Sequence, residues 1–292
     1  MNLLALTVAV ISAAQAQPLL VTTDWLAQHL NDRGLVIFHI GDQASRSTYD
    51  EGHIPGAQFL APLSEFGAPR VEGALSLELP SPERLDSVLE AKGISDDTRI
   101  VLYAARGYYS PTSRALLTLE YAGMAGRVSI LDGGLEIWKR EGRPLTAEAP
   151  VVSVGRFTRT PNATIVTTAD FVKAHLEDPA VRVIDARDTL FYQGRSQNQN
   201  SNGHIPGAGS IPFGSIIDST GKYLPPAALR AAFAQAGVKD GQTVVTYCHI
   251  GQQATVVWFA ARVLGFAAKL YDGSFQDWSR QALPIANPAA KP

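Results

Sequence analysis

One hexapeptide occurs twice in the chain. Gly52-His53-Ile54-Pro55-Gly56-Ala57 returns unchanged as Gly203-His204-Ile205-Pro206-Gly207-Ala208. Two glycines, a histidine and a proline in one order are not produced by composition. Further matches follow in the same sequence. Arg99-Ile100-Val101-Leu102-Tyr103 corresponds to Thr243-Val244-Val245-Thr246-Tyr247, and Leu131-Asp132-Gly133-Gly134 to Tyr271-Asp272-Gly273-Ser274. Trp138 and Trp278 come next, each at the same distance from its aspartate. The separation between copies shrinks along the chain, so the first copy carries short insertions. The chain has 292 residues, about two domains of ordinary size. A repeat this long is a whole domain, not a solenoid unit.

Each copy reads alike. A β-branched strand (34–40; 181–185) leads to the His-Ile-Pro-Gly-Ala turn. A helical stretch (82–92; 226–236) precedes a buried strand (98–103; 243–247). A loop then opens a second helix (112–122; 254–264), and a last short strand ends at Asp-Gly. Strands alternating with helices pair in parallel. The expected fold class is α/β: two tandem domains, 18–143 and 164–286, each an open, mainly parallel sheet flanked by helices. Residues 144–163 hold Pro, Gly and Thr without a period and read as the linker. Residues 287–292 read as a frayed tail.

Composition narrows the function. Lys+Arg is 25 against 27 Asp+Glu, a net charge of −2, with no local basic cluster. That removes the electrostatic footprint of a nucleic-acid binder. No stretch after the amino terminus approaches about 20 apolar residues, so no stable membrane insertion is expected. The run Leu3 to Ala14 is apolar, and Ala14-Gln15-Ala16 has the small-x-small form of a signal-peptidase site. Residues 1–16 therefore read as a signal peptide, although no Lys or Arg precedes the run. Export, to a periplasm-like compartment, is the expectation. It fits a chain with one cysteine, which cannot close an internal disulfide, a Cys-x-x-Cys pair or a thiolate zinc cluster.

That cysteine, Cys248, directly follows the strand 243–247. His249-Ile250-Gly251-Gln252-Gln253 separate it from a helix. Ligands of open α/β sheets bind at this place, between a strand's carboxyl end and a helix amino terminus. Free N–H groups and the helix dipole both favour an anion there, and the thiolate is the nucleophilic form of cysteine. Gly251 permits φ > 0. By position alone, a buried inert cysteine is an equally good reading.

At these residues the chain resembles the tandem-domain rhodanese (sulfurtransferase) family. Tyr49 to Leu60 is similar to the family's amino-terminal signature. Ala268 to Trp278 is similar to its carboxy-terminal one, with Asp277 where Glu is usual. Cys248 to Ala254 is similar to its active-site loop. The resemblance implies that Cys248 takes the outer sulfur of a donor such as thiosulfate, becomes a persulfide, and passes the sulfur to cyanide or to a small or protein thiol. Ping-pong kinetics follow. No metal and no organic cofactor are implied. The first domain, with Ala104 in place of the cysteine, is implied to be inactive and to wall the cleft.

Some positions depart from the pattern. Thiosulfate-using members often have basic residues after the cysteine and mercaptopyruvate-using members Gly and Ser, whereas this chain has His249 and Ile250. A partly charged His249 is an expected aid to a dianionic donor. Ile250 lacks a relay hydroxyl, which places 3-mercaptopyruvate second. The family arginine expected beside an aromatic residue is replaced by Phe191-Tyr192, and Arg195 is the nearest substitute. The substrate-binding candidates are thus His249, Ile250, Gly251, Gln252, Gln253 and Arg195. Arg187 is expected to tie its loop to Asp185, and His53 and His204 to brace their turns. A phosphatase loop needs an arginine where Ala254 stands. A cysteine protease needs a paired histidine base, for which only the adjacent His249 offers itself. A non-catalytic persulfide carrier is the remaining alternative.

Overall fold

The computed structural model describes residues 16–105, 107, 109–198 and 201–289. Most of the expected signal peptide, Arg106 and Tyr108 of the first-domain loop, and the end of the tail lie outside the described residues.

The first domain runs β1 (Leu20–Val21), α1 (Thr23–His29), β2 (Leu35–Ile40), α2 (Arg46–Glu51), β3 (Ala57–Leu60), α3 (Pro62–Glu65), α4 (Pro82–Ala91), β4 (Arg99–Ala104), α5 (Tyr109–Leu119), β5 (Val128–Leu131) and α6 (Gly134–Arg140). The second runs β6 (Val166–Thr167), α7 (Ala169–Ala174), β7 (Val181–Asp185), α8 (Thr189–Tyr192), β8 (Gly209–Ser210), α9 (Pro226–Gln235), β9 (Thr243–Tyr247), α10 (Ala254–Val263), β10 (Ala267–Tyr271) and α11 (Ser274–Arg280). Each sheet has five strands, in the orders β1-β5-β4-β2-β3 and β6-β10-β9-β7-β8. Every pairing is parallel. The two tandem α/β domains expected from the repeat are therefore present, and β4 and β9 occupy the two sheet centres.

The shared turn has one job in both copies. His53 stacks on Tyr49 and pairs Nδ1 with the Tyr49 carbonyl at 2.8 Å. His204 does the same with Tyr192. Each histidine also bridges, through its backbone, to the segment that leaves its domain (Thr146; Ala286). The two tryptophans are fully buried, and each indole N–H donates to a carbonyl six residues on, Pro144 or Pro284.

The expected helix 112–122 is shifted. It starts at Tyr109, because Pro111 falls in the first turn, where no N–H partner is lost. It gives way to a wider turn, Glu120–Met124, that breaks at Gly123, φ +95°. A Cβ on Gly123 would lie 2.7 Å from the Thr160 carbonyl, so the linker backbone packs where a side chain would stand.

The domains meet along α5 and α10. Every residue from Ser110 to Leu119 and from Ala254 to Ala261 is buried. A helix buried all round belongs inside a core, not on a surface. One apolar cluster runs through both domains, including Leu116 and Leu119 of α5 and Val257, Trp258 and Phe259 of α10. Each such side chain stabilises by about 1.5–3 kcal/mol. Polar pairs set the register between the helices: Ser113 Oγ with Thr255 Oγ1 at 2.7 Å, and Arg262 with the fully buried Glu120. Among the described residues no helix is long and apolar enough to cross a membrane.

Candidate active site

Strand β9 delivers Cys248 to the carboxyl edge of the second sheet, at its centre, with 1% of the residue exposed. The loop Cys248–Gln253 then bends back into α10. Gly251 makes the bend with φ +80°, and a Cβ there would lie 2.6 Å from the Asp272 carbonyl, so glycine is required.

The loop's carbonyls are held from outside. The Phe275 N–H donates to the Cys248 carbonyl and the Gln276 N–H to that of His249, both at 3.0 Å. The Gly251 carbonyl accepts from Arg114 Nη1 at 3.2 Å, and those of Gln252 and Gln253 accept from the first turn of α10. The backbone N–H groups of His249 to Gln253 have no acceptor among the described residues. Successive free N–H groups in one bend form an anion-binding concavity. The Cys248 N–H itself donates to Ser274 Oγ at 3.2 Å, and that hydroxyl donates to the Tyr271 carbonyl at 2.9 Å. Ser274 holds φ +53°, a left-handed conformation unusual for a residue with a side chain. Its counterpart in the first domain, Gly134, holds φ +54° without strain.

Beneath the loop is a buried charged pair. Arg187 and Asp185 are both fully buried. The guanidinium meets both Asp185 oxygens and donates to the carbonyls of Ser201 and Gly203. Tyr247 Oη donates to Asp185 Oδ2 at 2.8 Å and accepts the Ile205 N–H of the repeated turn. Arg187 thus ties its loop as expected. In the first domain His39 occupies the register position of Asp185, opposite Tyr103 as Asp185 is opposite Tyr247. Burial, then the charges of His53, Lys139 and Arg46, lower His39 to about 4. The charged network is replaced there by a neutral one.

A cavity of about 420 Å³ is lined by Phe191, His249, Ile250 and Phe275, with Asn198, Ser201, Gln276 and Ser279. His249 stands edge-on to Phe191, ring centres 4.4 Å apart. Burial, and then the Arg187 charge behind it, lower its pKa to about 4 against a smaller opposing effect of Asp185. It is neutral at pH 7, which does not fit the partial positive charge expected of it. Of the other candidates, Ile250 lines the cavity, while Gly251 and Gln252 face the first domain, Gln252 Nε2 donating to Ser110 Oγ at 3.2 Å. Gln253 precedes α10 without capping it through its side chain. Arg195 is exposed and is not among the lining residues.

Sequence reasoning missed Arg114, Asp272, Ser274 and Phe275. Asp272 and Ser274 lay within the repeated Asp-Gly motif, and Ser274 differs from Gly134 at a position built for glycine. Arg114 left one signal, a charged residue in an otherwise uncharged helix. Two clasps relate the domains reciprocally. Leu79 N–H of the first domain donates to Asp272 Oδ2 at 3.0 Å, and Tyr223 N–H of the second to Asp132 Oδ1 at 3.1 Å. No group of three or more His, Cys, Asp or Glu able to hold a metal occurs among the described residues.

The sequence profile of the Rhodanese-like domain matches twice, over residues 22–141 and 168–281. The sulfur carrier protein TtuD of Thermus thermophilus is 31% identical over 283 residues, 91% of this chain and 96% of that protein. The thiosulfate sulfurtransferase of Mus musculus is 29% identical over 284 residues, 91% and 93% of the two chains. The crystal structure of SseA from Escherichia coli, described for 3-mercaptopyruvate sulfotransferases, is similar with a TM-score of 0.76 at 28% identity, over 88% of this chain and 99% of that one.

Proposed function

The chain belongs to the rhodanese-like sulfurtransferase family, and on that premise we propose that Cys248 carries sulfur as a persulfide in a two-step transfer. The observation that carries this reading is the run of N–H groups from His249 to Gln253, without an acceptor among the described residues, beside the one cysteine. Such a concavity suits a thiolate, a persulfide anion or the oxygens of an anionic donor.

With thiosulfate as donor, the Cys248 thiolate attacks the outer sulfur. The S–S bond breaks and sulfite leaves with the bonding pair. An acceptor then attacks the outer persulfide sulfur, and Cys248 leaves as thiolate. Cyanide yields thiocyanate; a small or protein thiol yields a persulfide. No electron is gained or lost overall. 3-Mercaptopyruvate is the alternative donor, and the names of the relatives include both activities. The 31% identity to a sulfur carrier protein favours a second reading, in which a partner protein loads Cys248.

Intact mass after incubation with thiosulfate, with 3-mercaptopyruvate and with no donor tests the reading. A gain of about 32 Da that is absent in Cys248→Ser supports it, since that is the mass of one added sulfur. No gain with either donor removes the small-donor enzyme and leaves the carrier. Normal turnover by Cys248→Ser overturns the site.

A further inference from the structure

The cavity lined by His249 and Ile250, the two residues that follow Cys248, is larger and less polar than an inorganic sulfur anion or cyanide requires. Its volume, about 420 Å³, falls in the range of about 300–1,000 Å³ that holds organic ligands. Phe191, Ile250 and Phe275 give it an apolar wall. Asn198, Ser201, Gln276 and Ser279 complete it with uncharged hydrogen-bonding groups, and Ser279 Oγ, itself buried, has no partner among the described residues.

Among the described lining residues there is no Lys, Arg, Asp or Glu. The nearby guanidinium of Arg187 lies 4.0 Å from the Phe275 ring centre but is committed to Asp185 and two carbonyls. Its charge is felt at His249, but with its hydrogen bonds committed in this way it gives a ligand in the cavity no direct ion pair. A charged body packed on that wall would lose its hydration without gaining a counter-ion among the described lining side chains, whereas an apolar one gains by leaving water.

We propose that the sulfur acceptor of this site is a small organic thiol with an apolar, uncharged body that packs against Phe191, Ile250 and Phe275. This rests on the Cys248 reading and adds the acceptor class. The thiol R–SH attacks the outer sulfur of the Cys248 persulfide through its own sulfur. The bond between that outer sulfur and Cys248 Sγ breaks, and Sγ keeps the electron pair. The product is R–S–SH, which retains the thiol's proton, and no oxidant or reductant is consumed.

The test separates loading from discharge. The full chain is loaded with thiosulfate or 3-mercaptopyruvate, desalted, and mixed with benzyl mercaptan, 2-sulfanylethanol or sulfanylacetate. Loss of the added sulfur is followed by mass. Benzyl mercaptan is expected to discharge the persulfide at least about tenfold faster than sulfanylacetate, a ratio within reach of burying one ring. Phe191→Ala is expected to bring that ratio to within about threefold, and Phe191→Leu, which keeps an apolar wall, to preserve most of it. A purely structural role for Phe191 would slow all three thiols alike. A loaded chain that discharges to all three at equal rates overturns this proposal alone. A chain that takes no sulfur from either donor overturns the small-donor reading and this proposal with it.

Discussion

Arg114 of the first domain forms an ion pair with Asp272 of the second, and the same nitrogen donates to the carbonyl of Gly251 in the cysteine loop. Its other terminal nitrogen donates to the Leu77 carbonyl at 2.6 Å. The arginine is 2% exposed. The domain without a cysteine therefore holds the loop of the domain that has one. The Asp272 carboxylate is shared further, since Oδ2 accepts the Leu79 N–H. Docking of the two domains and the bend at Gly251 are one hydrogen-bonded unit.

Arg114→Met is expected to cost about 3–5 kcal/mol, because it leaves the Asp272 carboxylate without its partner inside the interface. Sulfur loading of Cys248 is expected to slow by a larger factor than the fraction unfolded explains, since the Gly251 carbonyl loses its restraint. Arg114→Lys, which keeps one donor and the charge, is expected to recover part of both. Loading rates measured well below the Tm of each variant check this. A rate unchanged in folded Arg114→Met would confine the residue to stability.

Ser274 trades backbone strain for one hydrogen bond to the Cys248 N–H. Ser274→Ala keeps the strain and loses the bond, so it is expected to destabilise by about 1–3 kcal/mol. Ser274→Gly also loses the bond but relaxes at φ +53°, and is expected to be the more stable of the two. Both are expected to load sulfur more slowly than the natural chain. Denaturant melts and loading rates of the pair check it; an order of stability with Ala above Gly would show that the strain is absent.

The pH dependence of stability follows from two histidines kept neutral. His39 and His249 both have their pKa lowered from 6.5 to about 4. Between those values the unfolded chain binds more protons at these rings than the folded chain does. Their contribution is thus complete above pH 6.5 and is lost as pH falls toward 4. A Tm series from pH 8 to 4.5 is expected to be flat at first and then to fall, with a shallower fall in His249→Gln. An equal slope in that variant would mean that the imidazole is protonated in the fold.

Export with cleavage after Ala16 remains a proposal, and the structure makes one consequence concrete. Gln17 is buried: its N–H donates to the Gly126 carbonyl at 2.8 Å and its side chain to Ile100 and Ser129. A cut after Ala16 keeps Gln17 and its side-chain partners, and makes the nitrogen that faces the Gly126 carbonyl the new terminal amine. Amino-terminal sequencing of the chain from its native host is expected to begin at Gln17; a mature chain that begins at Met1 would overturn cleavage.

Much of this protein is legible in its sequence. The strands at 181–185 and 243–247 are legible to the residue, because short runs rich in β-branched residues have few other uses. Cys248 was found because a lone cysteine after a buried strand stands out. Strands as short as β1, β6 and β8 were missed, since two residues carry no period. His249 was found, but not its neutrality, which comes from burial and from Arg187, distant in sequence. Proximity along the chain points to Arg195, whereas the fold leaves it exposed and outside the cavity lining.

The division has a physical cause. Repeated motifs, strand and helix periods and the position of the cysteine are local properties, written in neighbouring residues, and the sequence by itself determined the tandem α/β domains and their one candidate nucleophile. The clasp of Arg114 on Gly251 and Asp272, the uncharged wall of Phe191 and Phe275, and the exchange of Asp185 for His39 depend on residues brought together across one sheet or between two domains. Such contacts leave no period in the sequence, so only the tertiary structure decided them.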